Sequence, residues 1–415
     1  MKGRIVETSQ IHRGVDDLID SSDLSKVKSL IDVEVSDKIH SKQYQQIPHD
    51  GILSVSSAVL RASDAKPSCF ATGLINPLQS ENEVDTDTLY NLGSISKFIL
   101  MIMTVRLVQQ GRMKFSDPID LYLTNTKLPN TDKITVEHLL GHRSGLKDRD
   151  FIRLRESDPI TKLSKFKENF AFDLAGEPGI NFYYANINFV VVAHMIQKVT
   201  GLILQKSFNE LIAKEIGTQA YIIDEEAKSM QHASGYKPNA AASRLIDASG
   251  HYMFGATGFR ATPGEMTKLI TAFFTNDEFI QPEFRKKICS SVKDETFEVV
   301  TKTDTYRWPV RMGLGIEERA VTMPDGKIKK LFCHGGWQDS HASYLAYCPE
   351  DRAAYCICVS KTQSMQRIYD QSHSFSLKPY LFGGALIGAG VLFARVCLQT
   401  TTVVGDVAKQ MTHKV

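Results

Sequence analysis

Residues 94 to 110 read SISKFILMIMTVRLVQQ, and this stretch constrains the fold more than any other. Ile95, Phe98, Ile99, Leu100, Met101, Ile102, Met103, Val105, Leu107 and Val108 surround the predicted helix on nearly every side. A helix that is apolar all round has no face to give to water, so the rest of the chain must be built around it. Gly111 supplies the stop signal. One residue conflicts with this burial: Lys97, in the first turn, three positions after Ser94. Positions three apart share a side of a helix, so the hydroxyl and the ammonium meet. Two readings are open. Ser94 caps the helix while Lys97 snorkels outward, or Ser94 is a nucleophile whose proton Lys97 helps to remove. The spacing Ser-x-x-Lys occurs seven times in the chain, but only the copy at Ser94 opens a long apolar helix. There the helix N-terminus turns backbone N–H groups toward developing negative charge. A desolvated lysine can also lose its proton near neutral pH and act as a base.

The rest of the 415-residue sequence divides around this helix. Residues 1–22 form an N-terminal extension. Residues 23–45 carry Leu24, Val27, Leu30, Ile31 and Val35 at helical spacing. GILSVSSAVLRA and PSCFATGL read as two strands around the turn SDAKP. From 115 to 250 the strand signal fades into short helical runs separated by Pro- and Gly-containing loops. Strands return with VRMGLGIEERAV, KIKKLFCHGG, ASYLAYCPE and RAAYCICVS. One α/β sheet domain is therefore expected from 23–114 and 251–372, with 115–250 a mainly helical insertion and 373–415 a tail. A formal net charge of +2 and no long basic run give no case for nucleic acid. Cys356 and Cys358 alternate with apolar residues and read as small hydrophobes on one strand face. No metal-ligand spacing accompanies them, so neither a metal nor a cofactor is expected.

Two further motifs bear on the serine. Tyr184-Ala185-Asn186 is the only Tyr-x-Asn among 14 tyrosines and stands just ahead of an apolar helix. His334-Gly335-Gly336 ends a predicted strand. Together with Ser94-Ile95-Ser96-Lys97 these resemble the three motifs of the penicillin-recognising serine hydrolases. The variety most resembled is the class C β-lactamase group, with its related esterases, peptidases and mitochondrial β-lactamase-like proteins. TDTLYNLGSISK, ITVEHLLGHRSGL, GATGFRATPGEM and MGLGIEE support the resemblance, which covers roughly residues 25 to 370.

The resemblance implies an α/β fold, a β-lactamase-like antiparallel sheet with flanking helices. It implies a serine hydrolase that cleaves an ester or amide, of a small molecule or peptide, through a covalent acyl-enzyme on Ser94. Lys97 and Tyr184 would form the proton-transfer pair, the phenol's proton affinity being lowered by the nearby ammonium; otherwise Tyr184 is a buried phenol with one hydrogen bond. Asn186 would bind a substrate amide or carbonyl, or else start a helix. The backbone N–H groups of Ser94 and Trp337 would form the oxyanion hole. His334 stands where many β-lactamases have lysine and would bind or orient substrate, while Gly335 and Gly336 leave room for substrate along the strand edge. His142 is expected to be structural and remote from the nucleophile. The family's usual glycine and aromatic residue after the third motif are here Ser340-His341, and Lys361 replaces a common asparagine, so a reshaped pocket is expected.

Other classes remain open on the sequence. The fold could serve as a non-catalytic binding or assembly scaffold. The same residues also suit a carboxypeptidase or transpeptidase of cell-wall peptides, which needs export. MKGRIVETSQIHRGVDDLIDSS lacks the apolar core of a secretory signal. A cytoplasmic or membrane-anchored protein is therefore expected, with export by a signal-independent route left open. Residues 379–398, PYLFGGALIGAGVLFARVCL, read either as the membrane anchor or as a C-terminal helix or apolar tail lying against the domain.

Overall fold

The structure, a computed structural model, describes residues 52–76, 82–123, 128–148, 174–222, 231–237, 244–246, 255–300, 305–322, 328–338 and 341–361. The segments 23–45 and 379–398 lie outside the described residues. The strands are β1 (Ile52–Arg61), β2 (Ser68–Gly73), β3 (Tyr90–Asn91), β4 (Tyr221–Ile222), β5 (Gly235–Lys237), β6 (Arg244–Ile246) and β7 (Phe259–Ala261). They continue with β8 (Lys293–Val300), β9 (Thr305–Met312), β10 (Glu317–Thr322), β11 (Ile328–Gln338), β12 (His341–Cys348) and β13 (Ala353–Lys361). The helices used below are α1 (Ile95–Gln109), α2 (Val136–Leu140), α3 (Asn186–Thr200), α4 (Leu204–Phe208), α5 (Pro263–Thr275) and α6 (Pro282–Ser290).

Eight strands form one antiparallel sheet in the order β2-β1-β13-β12-β11-β10-β9-β8. Early and late parts of the chain meet where β1 pairs with β13, Ala58 opposite Cys356. Cys356 and Cys358 are free thiols with no exposed surface, on the sheet face that meets the helices. The run VRMGLGIEERAV is not one strand: Gly313 N–H donates to Ile316 O (2.8 Å), and Gly315 takes φ +70°, so the chain turns between β9 and β10. Strand β8 was not anticipated, because its sequence KDETFEVV is largely polar and pairs only with β9 at the sheet edge. The insertion also contributes short strands, β4 to the three-stranded sheet β3-β7-β4 and the β5-β6 pair.

Helix α1 is central, as its composition requires. Every residue from Ile95 to Leu107 is buried, Lys97 and Arg106 included. Arg106 is satisfied from the insertion and from the loop before α6. Its Nη1 donates to Phe279 O (2.8 Å), its Nε to Leu211 O (3.2 Å), and its Nη2 meets Glu215 Oε1 at 2.7 Å. Ser96 Oγ accepts from Phe259 N–H (3.1 Å), which ties the helix to β7. One cation in the helix is thus anchored away from the serine, and the other is left beside it.

Candidate active site

Ser94 sits at the mouth of α1 and is partly exposed, while its helical neighbours are buried. It is the N-cap residue, but its side chain makes no capping hydrogen bond, and its backbone is already helical (φ −67°, ψ −8°). The hydroxyl is therefore not committed to its own helix. Lys97 does not snorkel: it has no exposed surface.

The Lys97 ammonium has three oxygen partners. Nζ donates to Ser94 Oγ (3.0 Å), Asn186 Oδ1 (2.6 Å) and Ala256 O (3.0 Å). It also lies over the rings of Tyr184 (5.1 Å) and Phe189 (5.9 Å). Burial lowers its pKa to about 7 against an opposing pull from Asp148, because desolvation disfavours the charged form. A neutral amine keeps two N–H bonds and one lone pair. The carbonyl oxygens of Asn186 and Ala256 can only accept, so they take the two N–H bonds. The lone pair is left for Ser94, the one partner of the three with a proton to give. This is the geometry of a base aimed at a nucleophile.

Tyr184 approaches the same hydroxyl from the extended segment before α3. Burial raises its pKa, and a hydrogen bond with Ser94 opposes the rise. The proton affinity is thus raised by burial, not lowered as the resemblance implies, and the phenol keeps its proton. Its position is set by His142, which is close to the site and not remote from it. The two rings stack at 4.2 Å and 27°. His142 Nδ1 accepts from Ala185 N–H (3.1 Å), and His142 O accepts from Tyr183 N–H (2.8 Å), so both neighbours of the tyrosine are held. Burial, reinforced by Lys97 and His334, keeps the His142 imidazole well below its ordinary pKa and so neutral.

Asn186 is the first residue of α3, and its side chain is occupied at both ends. Its carbonyl faces Lys97, and its amide Nδ2 donates to Asp148 Oδ2 (2.8 Å). Asp148 Oδ1 accepts from Ile187 N–H (2.9 Å). Sequence reasoning missed both Asp148 and Ala256. They lie in the segments GHRSGLKD and GATGF, and no spacing rule ties either to Ser94.

The third motif forms the opposite wall. β10 pairs with β11 only as far as Glu317 opposite Cys333, whereas β12 pairs along His334 to Gln338. From His334 onward the other edge of β11 has no strand partner among the described residues, which leaves a backbone edge for an extended substrate. A Cβ on Gly336 would stand 1.9 Å from Leu92 O and 2.3 Å from Ser343 Oγ. This glycine is therefore demanded by the entry to α1. Ser343 Oγ donates to the same Leu92 carbonyl (2.7 Å). Trp337 continues β11 directly after the glycines. His334 is only 2% exposed, and its Nδ1–H donates to Gly335 O (2.6 Å). Burial lowers its pKa, with Glu317 opposing, so the ring lines the interior behind the edge as a neutral group. His341 braces the start of β12. Its Nδ1 accepts from Asn91 (3.3 Å), and its Nε2 donates to Ala233 O (3.0 Å).

The family model described as Beta-lactamase matches residues 49–373. Among curated relatives, a beta-lactamase of Pseudomonas fluorescens is 24% identical over 48% of this chain and 55% of its own. The D-alanyl-D-alanine-carboxypeptidase/endopeptidase AmpH of Escherichia coli (strain K12) is 24% identical over 46% of this chain and 50% of its own. The chain spans about half the length of these two relatives. A beta-lactamase of Escherichia coli (strain K12) is 23% identical over 79% of this chain and 89% of its own. Among solved structures, the octameric penicillin-binding protein homologue from Pyrococcus abyssi superposes with TM-score 0.63 at 21% identity, covering 89% of this chain and 78% of that one. The D-amino acid amidase from Ochrobactrum anthropi SV3, complexed with D-phenylalanine, gives 0.62 at 19% identity, covering 81% and 91%. Both structures share the fold.

Proposed function

The chain belongs to the beta-lactamase family, and from that premise we propose that it is a serine hydrolase that opens an ester or amide bond through an acyl-enzyme on Ser94. The observation that carries this reading is the 3.0 Å contact between Ser94 Oγ and a fully buried Lys97 Nζ whose other two partners are carbonyl oxygens. Neutral Lys97 takes the Ser94 proton as Oγ attacks the acyl carbonyl. The backbone N–H groups of Ser94 and Trp337 receive the developing oxyanion. Tyr184, which keeps its proton in the resting site, protonates the leaving alcohol or amine as the acyl bond breaks. Water then attacks the acyl-enzyme by the reverse proton route, releasing the acid and restoring Ser94. The names of AmpH and of the D-amino acid amidase support amide bonds as well as esters for this chemistry.

A fluorophosphonate probe and a fluorogenic short-chain ester test the proposal. Mass spectrometry should place the label on Ser94, and ester turnover should fall with labelling. Labelling elsewhere, or turnover that survives full Ser94 modification, would overturn it. Attachment of the protein to a membrane through residues 379–398 is a separate part of the proposal, supported by their uncharged run from Tyr380 to Ala394 and by the small-residue spacing Gly384-x-x-x-Gly388.

A further inference from the structure

We propose that Asp148 is a positioning residue for the base: it holds the amide end of Asn186, turns the Asn186 carbonyl onto Lys97, and so aims the lysine's lone pair at Ser94. The inference rests on the serine hydrolase reading above and adds to it a residue that no motif contains.

The argument starts from the two ends of one primary amide. Asn186 could present either its carbonyl oxygen or its NH2 to Lys97. With NH2 toward the lysine, a neutral amine would spend its lone pair on that donor. An ammonium would face a donor with nothing to accept. Asp148 removes the choice. Its Oδ2 accepts from Asn186 Nδ2 at 2.8 Å, so Oδ1 is the end left for Lys97, at 2.6 Å. A carboxylate cannot donate, so the flipped amide would set oxygen against oxygen at Asp148. Asp148 is fixed in its turn by the first turn of α3, where its Oδ1 accepts from Ile187 N–H at 2.9 Å. Ala256 O takes the second N–H of the amine. Four linked hydrogen bonds thus run from a helix N-terminus through Asp148, Asn186 and Lys97 to Ser94, each with its donor and acceptor set by the one before.

Asp148 also brings a negative charge one side chain from the base. It pulls the Lys97 pKa upward against the burial that brings it down to about 7. The other titratable groups facing Lys97 are Tyr184, whose raised pKa keeps it protonated, and the imidazoles of His142 and His334, which burial holds neutral. Among these Asp148 is the one fixed charge, so its removal has a defined sign. Lys97 then deprotonates in more acidic solution, and the acid limb of activity moves to lower pH.

The test uses the full chain, the fluorogenic ester and pH profiles of kcat/KM. Asp148→Asn keeps the shape but removes the charge and an acceptor. The expected result is an acid limb lowered by roughly one pH unit, the lower end of the shift that a nearby opposite charge produces. The plateau should also fall by about tenfold, as Asn186 loses its fixed orientation. Asp148→Ser keeps an oxygen for the Ile187 N–H without charge, and serves if the asparagine variant does not fold; the same limb shift is expected. If both variants only lower the melting temperature and leave the limb in place, Asp148 is a helix cap and the proposal is overturned. Failure of Ser94 to take the fluorophosphonate label in the parent chain would overturn the hydrolase reading instead, so the two failures are separable.

Discussion

At Ser94 the structure separates chemistry from stability. Its hydroxyl makes no capping bond to α1, so Ser94→Ala does not lose the roughly 1 kcal/mol that a cap contributes. The expected outcome is complete loss of fluorophosphonate labelling, with an unfolding free energy lowered by about 1 kcal/mol in urea titration, because the buried Lys97 loses one hydrogen-bond partner. Lys97 sets the pH dependence. Its folded pKa is lowered to about 7, and the proposed mechanism uses the neutral amine. The kcat/KM for the ester should therefore rise with pH through about 7 and level off above it. Lys97→Met and Tyr184→Phe should each lower acylation by about 10²- to 10⁴-fold, the range for lost acid–base assistance, read from rapid-mixing kinetics. Wild-type acylation in Lys97→Met would leave the buried amine with a structural role only.

At the scale of elements, the meeting of β11 with the start of α1 places the strand proposed to carry the oxyanion hole against Ser94. Gly336 is the contact point, with Leu92 O where its Cβ would be. Gly336→Ala should cost about 2 kcal/mol by overpacking, measured in denaturant, and should slow acylation because β11 must retreat from Ser94. A variant as stable and as fast as the parent would mean that the strand has slack at this point. Much of this level was legible beforehand. Helix α1 was readable because apolar residues on every side admit only a buried helix, and β11 to β13 because they are strongly apolar or end in motif glycines. Strand β8 was not, because an edge strand of polar residues carries no burial signal. The break at Gly313–Ile316 was missed because two glycines within an apolar run are compatible with either a strand or a turn.

For the whole molecule, the proposed anchor decides where the protein is held. Among the described residues no single helix is long and apolar enough to cross a membrane. Residues 379–398 reach the roughly 20-residue length of a span if Arg395 snorkels to the interface. The intact chain should float with liposomes and resist carbonate extraction, while a chain truncated after Ser374 should not. Identical behaviour of the two in detergent-free buffer would remove the anchor.

The sequence by itself determined that Ser94 and Lys97 share a helix side, that this helix is central, and that Tyr184 and the glycines of the third motif belong with them. Helical spacing makes the first a local fact, and the hydrophobic effect makes the second nearly one. Tertiary structure decided which atoms face which. Whether Ser94 caps its helix, whether Lys97 escapes to water, and which end of Asn186 meets the amine all depend on groups far apart in sequence: Asp148, Ala256 and His142. A hydrogen bond has a direction and a reach of about 3 Å. Chain periodicity specifies neither across 38 residues from Asp148 to Asn186, or 159 from Lys97 to Ala256.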